Sequence, residues 1–208
     1  MARQKEFDRE QALDQAMREF WARGYASTST DDLLKAMSIS RQSMYDTFGD
    51  KRRLYLEALQ RYNAGSVGGL LRHLGKGESP LGGIERMLVW FASKSADEHA
   101  LGCMGINAVC EFGVTDADVN ALTETSTLTV MRALEQSLSE ARDCGEMSAD
   151  IVVKEAATFV LSTLAGMKVS AKGGADTKTL GIIASMALRS LRTQGGQAIA
   201  PKGSRRKA

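Results

Sequence analysis

The chain has 208 residues, 43% of them hydrophobic and 25% charged, with two prolines and a formal net charge of +2. This is ordinary globular composition with a bias toward helix formers. No apolar run approaches the roughly 18 residues of a membrane span, and MARQKEFDREQ lacks the apolar segment of a secretory signal, so a cytoplasmic protein with no membrane partner is expected.

The charge is unevenly placed. Lys202, Arg205, Arg206 and Lys207 put +4 on the tail PKGSRRKA, which leaves the preceding 200 residues at −2. Any case for nucleic-acid binding must therefore be local. The tail, 196–208, reads as a disordered, solubilising end.

In chain order, residues 8–23 place Ala12, Ala16 and Phe20 on one helical row and Leu13, Met17 and Trp21 on the next, a broad apolar stripe that Gly24 can stop. Phe20 and Trp21 are expected in the core. YASTST offers hydroxyl caps, and TDDLLKAM (30–37) reads as a short helix with Leu33, Leu34 and Met37 inward. Asp31 and Asp32 in its first turn suit the helix dipole. After SIS, RQSMYDTF (41–48) forms another short helix with Ser40 as N-cap. Gly49-Asp50 ends it, and Asp50 can cap a longer helix from Lys51 through about His73. LGKGESPLGG (74–83) reads as a hinge or loop. Beyond it, Ile84, Met87, Leu88 and Phe91 keep helical spacing. HALGCMGINAVCEFG (99–113) reads as a helix with a glycine-broken entry and with Ile106, Val109, Cys110 and Phe112 inward. Three further helices are expected at 117–143, 150–169 and 177–193. The chain is thus all-α, with about nine helices and no internal repeat.

Residues 29–48 carry the most information. Two short helices flank a three-residue turn in which Ile39 can plug the angle between them, and Leu33, Leu34, Met37 and Met44 can fill the space between. This is the pattern of a helix-turn-helix. Its second helix would offer Arg41, Gln42 and Ser43 to a major groove, where Arg pairs with guanine and Gln with adenine. The hydroxyls of Tyr45 and Thr47 and the helix opening at Lys51 suit phosphate. Arg52 and Arg53 read as solvated or paired, not as DNA-reading.

Residues 7–59 resemble the TetR-type transcriptional regulators. Gly24-Tyr25, Thr28, Thr30, Ile39, Ser40, Met44, Tyr45, Phe48, Lys51 and Leu54 match that family's pattern in register. Ser38 departs from the usual glycine before the turn, Gly49-Asp50 from the usual Pro-Ser or Gly-Ser, and Thr47 from a frequent His or Tyr. Asp31 and Asp32 add negative charge near the DNA side. The resemblance implies DNA contacts from Thr28, Thr30, Ser40, Arg41, Gln42, Ser43, Tyr45, Thr47 and Lys51, with the Tyr45 ring packed inward and its hydroxyl on phosphate. It also implies a DNA-binding domain over 1–60, a ligand-binding and dimerisation domain over 61–195, and a homodimer on a palindromic, double-stranded operator.

GCMGINAVCEF resembles a pocket-wall segment of the same family. Met87, Trp90, Phe91, Cys103, Met104, Asn107 and Phe112 are the candidate ligand contacts and suggest an apolar or aromatic effector. Phe159, Thr163, Gly166, Ala184, Ala187 and Leu188 are the candidate dimer face. Two other readings stand beside the ligand-responsive repressor: a thiol switch that senses oxidants or electrophiles through Cys103, and a helical ligand-binding protein without DNA binding. Against the thiol switch, no Lys or Arg lies between Lys94 and Arg132 to activate the sulfur. Cys103 and Cys110, seven apart on a helix, would lie about 10.5 Å apart, too far for a disulfide. No cofactor or metal is expected: His73 and His99 are the only histidines and stand on separate segments. GLLRHLGKG has the wrong spacing for a phosphate loop, and no G-x-S-x-G elbow occurs. An enzyme is not expected.

Overall fold

The structure is a computed structural model that describes residues 7–192. The N-terminal six residues and the basic tail lie outside the described residues. Ten helices are described: α1 Arg9–Arg23, α2 Thr30–Met37, α3 Arg41–Phe48, α4 Lys51–Leu74, α5 Pro80–Ala92, α6 Ala96–Leu101, α7 Met104–Phe112, α8 Ala117–Asp143, α9 Val153–Lys172 and α10 Thr177–Leu191. One isolated bridge, Met147 to Arg192, is the only β pairing among the described residues.

Helix starts follow the capping residues. Asp8, Ser29, Ser40, Asp50, Ser79, Ser95, Asp116 and Asp176 each accept a backbone N–H of the turn they open. Asp32 completes a capping box with Ser29, so this carboxylate serves the helix start and also pairs with Arg23 at 3.3 Å.

Two departures from the expected elements have physical causes. The 74–83 segment is shorter as a loop than expected, because Ser79 caps and Pro80 opens α5, with Gly82 and Gly83 inside the helix. Gly83 is needed for contact: a Cβ there would stand 2.3 Å from the Leu74 carbonyl oxygen at the end of α4. The 99–113 segment divides at Gly102 (φ 71°) into α6 and α7. On α7 the buried residues are Met104 and Ala108, whereas Val109 and Cys110 are exposed. The inward face is thus one step around the helix from the expected one.

Two apolar clusters form the interior. The first joins Leu13, Phe20, Leu33, Met37, Met44 and Phe48 of α1–α3 to Leu54, Tyr55 and Leu59 of α4, and extends onto Met104, Ala108 and Val119. The second packs Leu70 and Leu74 of α4 against α5, α8, α9 and α10. Helix α4 runs through both, so the expected division after residue 60 falls within an unbroken helix.

Ser38 is the only non-glycine residue with positive φ among the described residues (φ 55°, ψ 41°). It ends α2 in the left-handed conformation, which costs an L-residue about 1–2 kcal/mol. Ser38→Gly should therefore raise the thermal midpoint by about 2–8 °C, measured by circular dichroism. An unchanged or lower midpoint would show that the turn carries no such strain.

Candidate DNA-reading head and ligand cavity

Helices α2 and α3 form the helix-turn-helix, with Leu33, Met37 and Met44 buried between them and Ile39 half-buried in the turn. The Ile39 N–H donates to the Leu34 carbonyl at 3.3 Å, which closes the turn. Met44 and Phe48 point inward, so α3 presents Arg41, Gln42, Tyr45 and Asp46 to solvent. Ser43 and Thr47 flank this face. Ser40 caps the helix through the Ser43 N–H at 3.1 Å, and the two hydroxyls lie 2.8 Å apart.

Several expected contacts change role. Tyr45 is 44% exposed, so its ring lies on the solvent-facing side of α3 and is not packed inward. The core tyrosine is Tyr55, which meets Phe20 edge-on, and burial pushes its phenol well above the usual range. Thr28 is fully buried and donates its hydroxyl to the Gly24 carbonyl at 2.6 Å, which fixes the α1–α2 turn and withdraws it from DNA. Thr30 is half-buried as the first residue of α2, with Ser29 as the cap. Lys51 places its ammonium 4.3 Å from the centre of the Tyr25 ring. Asp31 faces α3 and holds Arg41 at 2.6 Å. Asp46, on the reading face, was not among the expected residues. Its carboxylate can accept from cytosine N4.

Side chains at the end of α7 and the start of α8 help tie the head to the rest of the molecule. Glu111 near the end of α7 accepts the Tyr25 and Ala26 N–H groups at 2.9 and 2.6 Å, just after α1 in the turn that leads to α2. The Phe112 ring stacks obliquely on Tyr25 and Tyr55. Arg52 is paired, as expected, and its partners are on α8: a fork of two 2.8 Å bonds to Asp116 and a third bond to Asp118 at 3.1 Å. These bonds raise the guanidinium's affinity for its proton and hold the Asp116 carboxyl below the usual range.

Two cavities flank the middle of α4. The first, about 380 Å³, is walled by Met17 and Trp21 of α1, Tyr62 and Gly69 of α4, Trp90 and Phe91 of α5, His99 of α6 and Lys168 of α9. Trp21 packs against the first apolar cluster and also walls this cavity, and its indole N–H donates to the Gly102 carbonyl at 3.2 Å. The second, about 370 Å³, lies within the body between α4, α7, α8 and α9. Ser66, Leu70, Cys103 and Lys168 line both. Of the expected ligand contacts, Trp90, Phe91 and Cys103 reach a cavity. Met87 and Met104 do not, since both are buried in the apolar clusters. Asn107 is engaged elsewhere, donating to Leu101 at 3.4 Å and accepting from Lys172 at 2.9 Å, and Phe112 belongs to the joint.

Lys168 was missed from the sequence. Its ammonium lies 3.7 Å from the Cys103 sulfur. Burial alone would push this thiol up, but Lys168, the Ile106 and Gly105 N–H groups and the Tyr62 hydroxyl outweigh it, and the thiol falls below its ordinary value.

On α9, Phe159 is exposed, Thr163 is half-buried and Gly166 is exposed. Ala184, Ala187 and Leu188 of α10 are buried within the chain, so they cannot face a partner. The outward apolar residues of these helices are Phe159, Val169, Ile182 and Met186.

Residues 12–58 match the family model for bacterial regulatory proteins of the tetR family, and residues 84–185 match the tetracyclin repressor-like C-terminal domain. The chain is 32% identical over 197 residues to the HTH-type transcriptional repressor ComR of Escherichia coli (strain K12), covering 90% of each protein. It is 31% identical to the HTH-type regulator YezE of Bacillus subtilis (strain 168), over 86% of this chain and 94% of that one. Among solved structures, a cysteine mutant of the TetR family regulator CifR, complexed with 26-base-pair operator DNA, superposes with a TM-score of 0.79 at 28% identity. That superposition covers 91% of this chain and all of the other. The chain is therefore a DNA-binding transcriptional regulator of the TetR family, and no described helix is long and apolar enough to cross a membrane.

Proposed function

We propose that the protein is a ligand-responsive repressor that binds a palindromic operator as a homodimer, with Arg41, Gln42, Tyr45 and Asp46 of each subunit in the major groove. The observation that carries this reading is the capped α3, which holds two apolar residues inward and a polar, exposed face outward. Ser43 and Thr47 flank the groove, and Lys51 lies at the N-terminus of α4, where phosphate is favoured. The operator complex of CifR and the repressor ComR support the reading.

The outward face of α9 and α10, with Phe159, Val169, Ile182 and Met186, serves as the dimer surface. These apolar side chains lie exposed on neighbouring helices, and a two-fold axis there would set two reading helices about one DNA turn apart.

Ligand control runs through α7. Its first turn borders the body cavity, and its last turn holds the head through Glu111 and Phe112. Its nine residues span about 13 Å at 1.5 Å each. A ligand that fits one position of α7 better than another shifts the operator-competent population by that difference in affinity.

Arg41→Ala should weaken binding to the specific operator by about 1–3 kcal/mol and relax preference at one base position. Lys51→Ala should weaken specific and nonspecific binding alike and lower the salt slope by about one. Fluorescence anisotropy across a salt series separates the two, and equal effects of both variants on random DNA would remove Arg41 from the reading face.

Asp31 competes with DNA for Arg41. Asp31→Asn removes that competitor and a negative charge, and should tighten nonspecific binding by about threefold, on the scale of an exposed pair of under 1 kcal/mol. Weaker binding by the variant would mean that Asp31 positions Arg41 for the groove.

Phe159→Asp combined with Met186→Asp should yield monomers by analytical ultracentrifugation, with a steep loss of operator affinity. A variant that stays dimeric would place the interface on another surface.

A further inference from the structure

The first cavity touches the head directly. Met17 and Trp21 of α1 line it together with Trp90 and Phe91 of α5 and Lys168 of α9. The second cavity takes no described lining residue from α1. The first is therefore a cleft between head and body, and the second lies within the body.

The cleft carries an excess of positive charge. Arg61, Arg72, Lys94 and Lys168 line it against one carboxylate, Glu98. Arg61 is held by Asp14 and Glu10, and Lys94 by Glu98. Among the described residues, no carboxylate pairs with Arg72 or Lys168. The Lys168 ammonium has the Cys103 sulfur at 3.7 Å as its one described partner. An ammonium has three N–H groups to place, and this one has placed a single N–H on a weak acceptor.

The aromatic part of the lining is fixed. His73 stacks on Trp90 with ring centres 4.4 Å apart. A Cβ at Gly69 would stand 2.6 Å from the Trp90 ring, so the glycine lets the indole lie against α4. Trp21 is held by its bond to the Gly102 carbonyl and meets Tyr62 edge-on at 4.8 Å. Rings placed in this way cost a ligand little ordering on entry.

We propose that this cleft binds aromatic carboxylates, with the ring against Trp21 and Trp90 and the carboxylate on the Lys168 ammonium, and that its occupancy sets operator affinity. The second half rests on the repressor reading above. A neutral ligand leaves Lys168 without a counter-charge, and a cationic one adds a like charge beside it. The volume, about 380 Å³, falls in the range of small-molecule sites. This route differs from the one through α7, because here the ligand itself touches α1 of the head and α9 of the body. A ligand that favours one separation of those helices changes operator affinity, and operator DNA changes ligand affinity by the same factor.

The chain has two tryptophans, Trp21 and Trp90; both line the cleft and neither lines the body cavity. Tryptophan emission therefore reports this site. Hydrocinnamate is the probe, and the uncharged hydrocinnamamide is the control. Hydrocinnamate should change the emission saturably and bind at least about tenfold tighter than the amide, the scale of one hydrogen bond between charged groups. Lys168→Met should abolish that preference while the amide still binds. Gly69→Ala pushes on Trp90 and should weaken both probes by the same factor. In fluorescence anisotropy, saturating hydrocinnamate should shift operator affinity by at least about fivefold, the low end of allosteric coupling.

Hydrocinnamate that does not bind, or binds no tighter than its amide, overturns the carboxylate site. This comparison is made on wild-type protein and holds even if a Lys168 variant fails to fold. Binding seen by calorimetry with no change in tryptophan emission moves the ligand to the body cavity and overturns the cleft site. A carboxylate preference that survives Lys168→Met overturns the role of Lys168. Occupancy of the cleft without a shift in operator affinity overturns the regulatory half. Failure of the ligand-free protein to bind any operator overturns the repressor reading and leaves the cleft site standing, because the emission is read without DNA.

Discussion

The uninterrupted course of α4 is the constraint on which the rest of the structure depends. Its 24 residues span about 36 Å, and its two ends belong to different apolar clusters. Leu54, Tyr55 and Leu59 seat the reading head, while Leu70 and Leu74 sit in the body. A helix that is packed at both ends cannot bend cheaply between them. Any change in the body must then reach the head as a movement of α4 as a unit, or pass through contacts beside it. Those contacts combine the apolar packing of Met104, Ala108 and Phe112 with polar bonds: Glu111 on the Tyr25 and Ala26 N–H groups, and Arg52 on Asp116 and Asp118. Polar contacts at a joint can exchange partners with water at modest cost, which an interdigitated core cannot do.

The charges of the head show a similar economy. Arg41 is held by Asp31 and Arg52 by Asp116, while Asp32 serves its own helix cap and Arg23. Of these, the Arg41 pair is the most exposed and the least costly to open, and it alone includes a residue on the reading face. Arg52 is committed to the joint by a bidentate geometry that lysine could not reproduce.

The helix-turn-helix was legible in the sequence because everything that specifies it is local. Capping hydroxyls and carboxylates, the apolar spacing of Leu33, Met37 and Met44, and the break at Gly49 all act within a few residues. Thr28 misled because a match to a motif does not say which way a side chain points, and this hydroxyl closes a turn. The residues of α10 misled for a related reason. The inner stripe of Leu180, Ala184, Ala187 and Leu188 is the one that periodicity finds, while Ile182 and Met186 break the amphipathic pattern and mark the surface left over. Lys168 could not be found by scanning the neighbourhood of Cys103 in the chain, because 65 residues separate them and only the packing of α9 across α7 brings them together.

That last pair also explains how a half-buried ammonium is accommodated. Lys94 has Glu98 and the Trp90 ring, and Arg61 has Asp14 and Glu10. Among the described residues, no carboxylate stands within ion-pair reach of Lys168. A lysine withdrawn from water without a counter-charge is costly, and so is a thiolate withdrawn from water alone. Placed 3.7 Å apart, each offsets the desolvation of the other. The Cys103 sulfur, its hold on the proton weakened by that ammonium, is therefore the electron-rich group that Lys168 faces on this cavity wall.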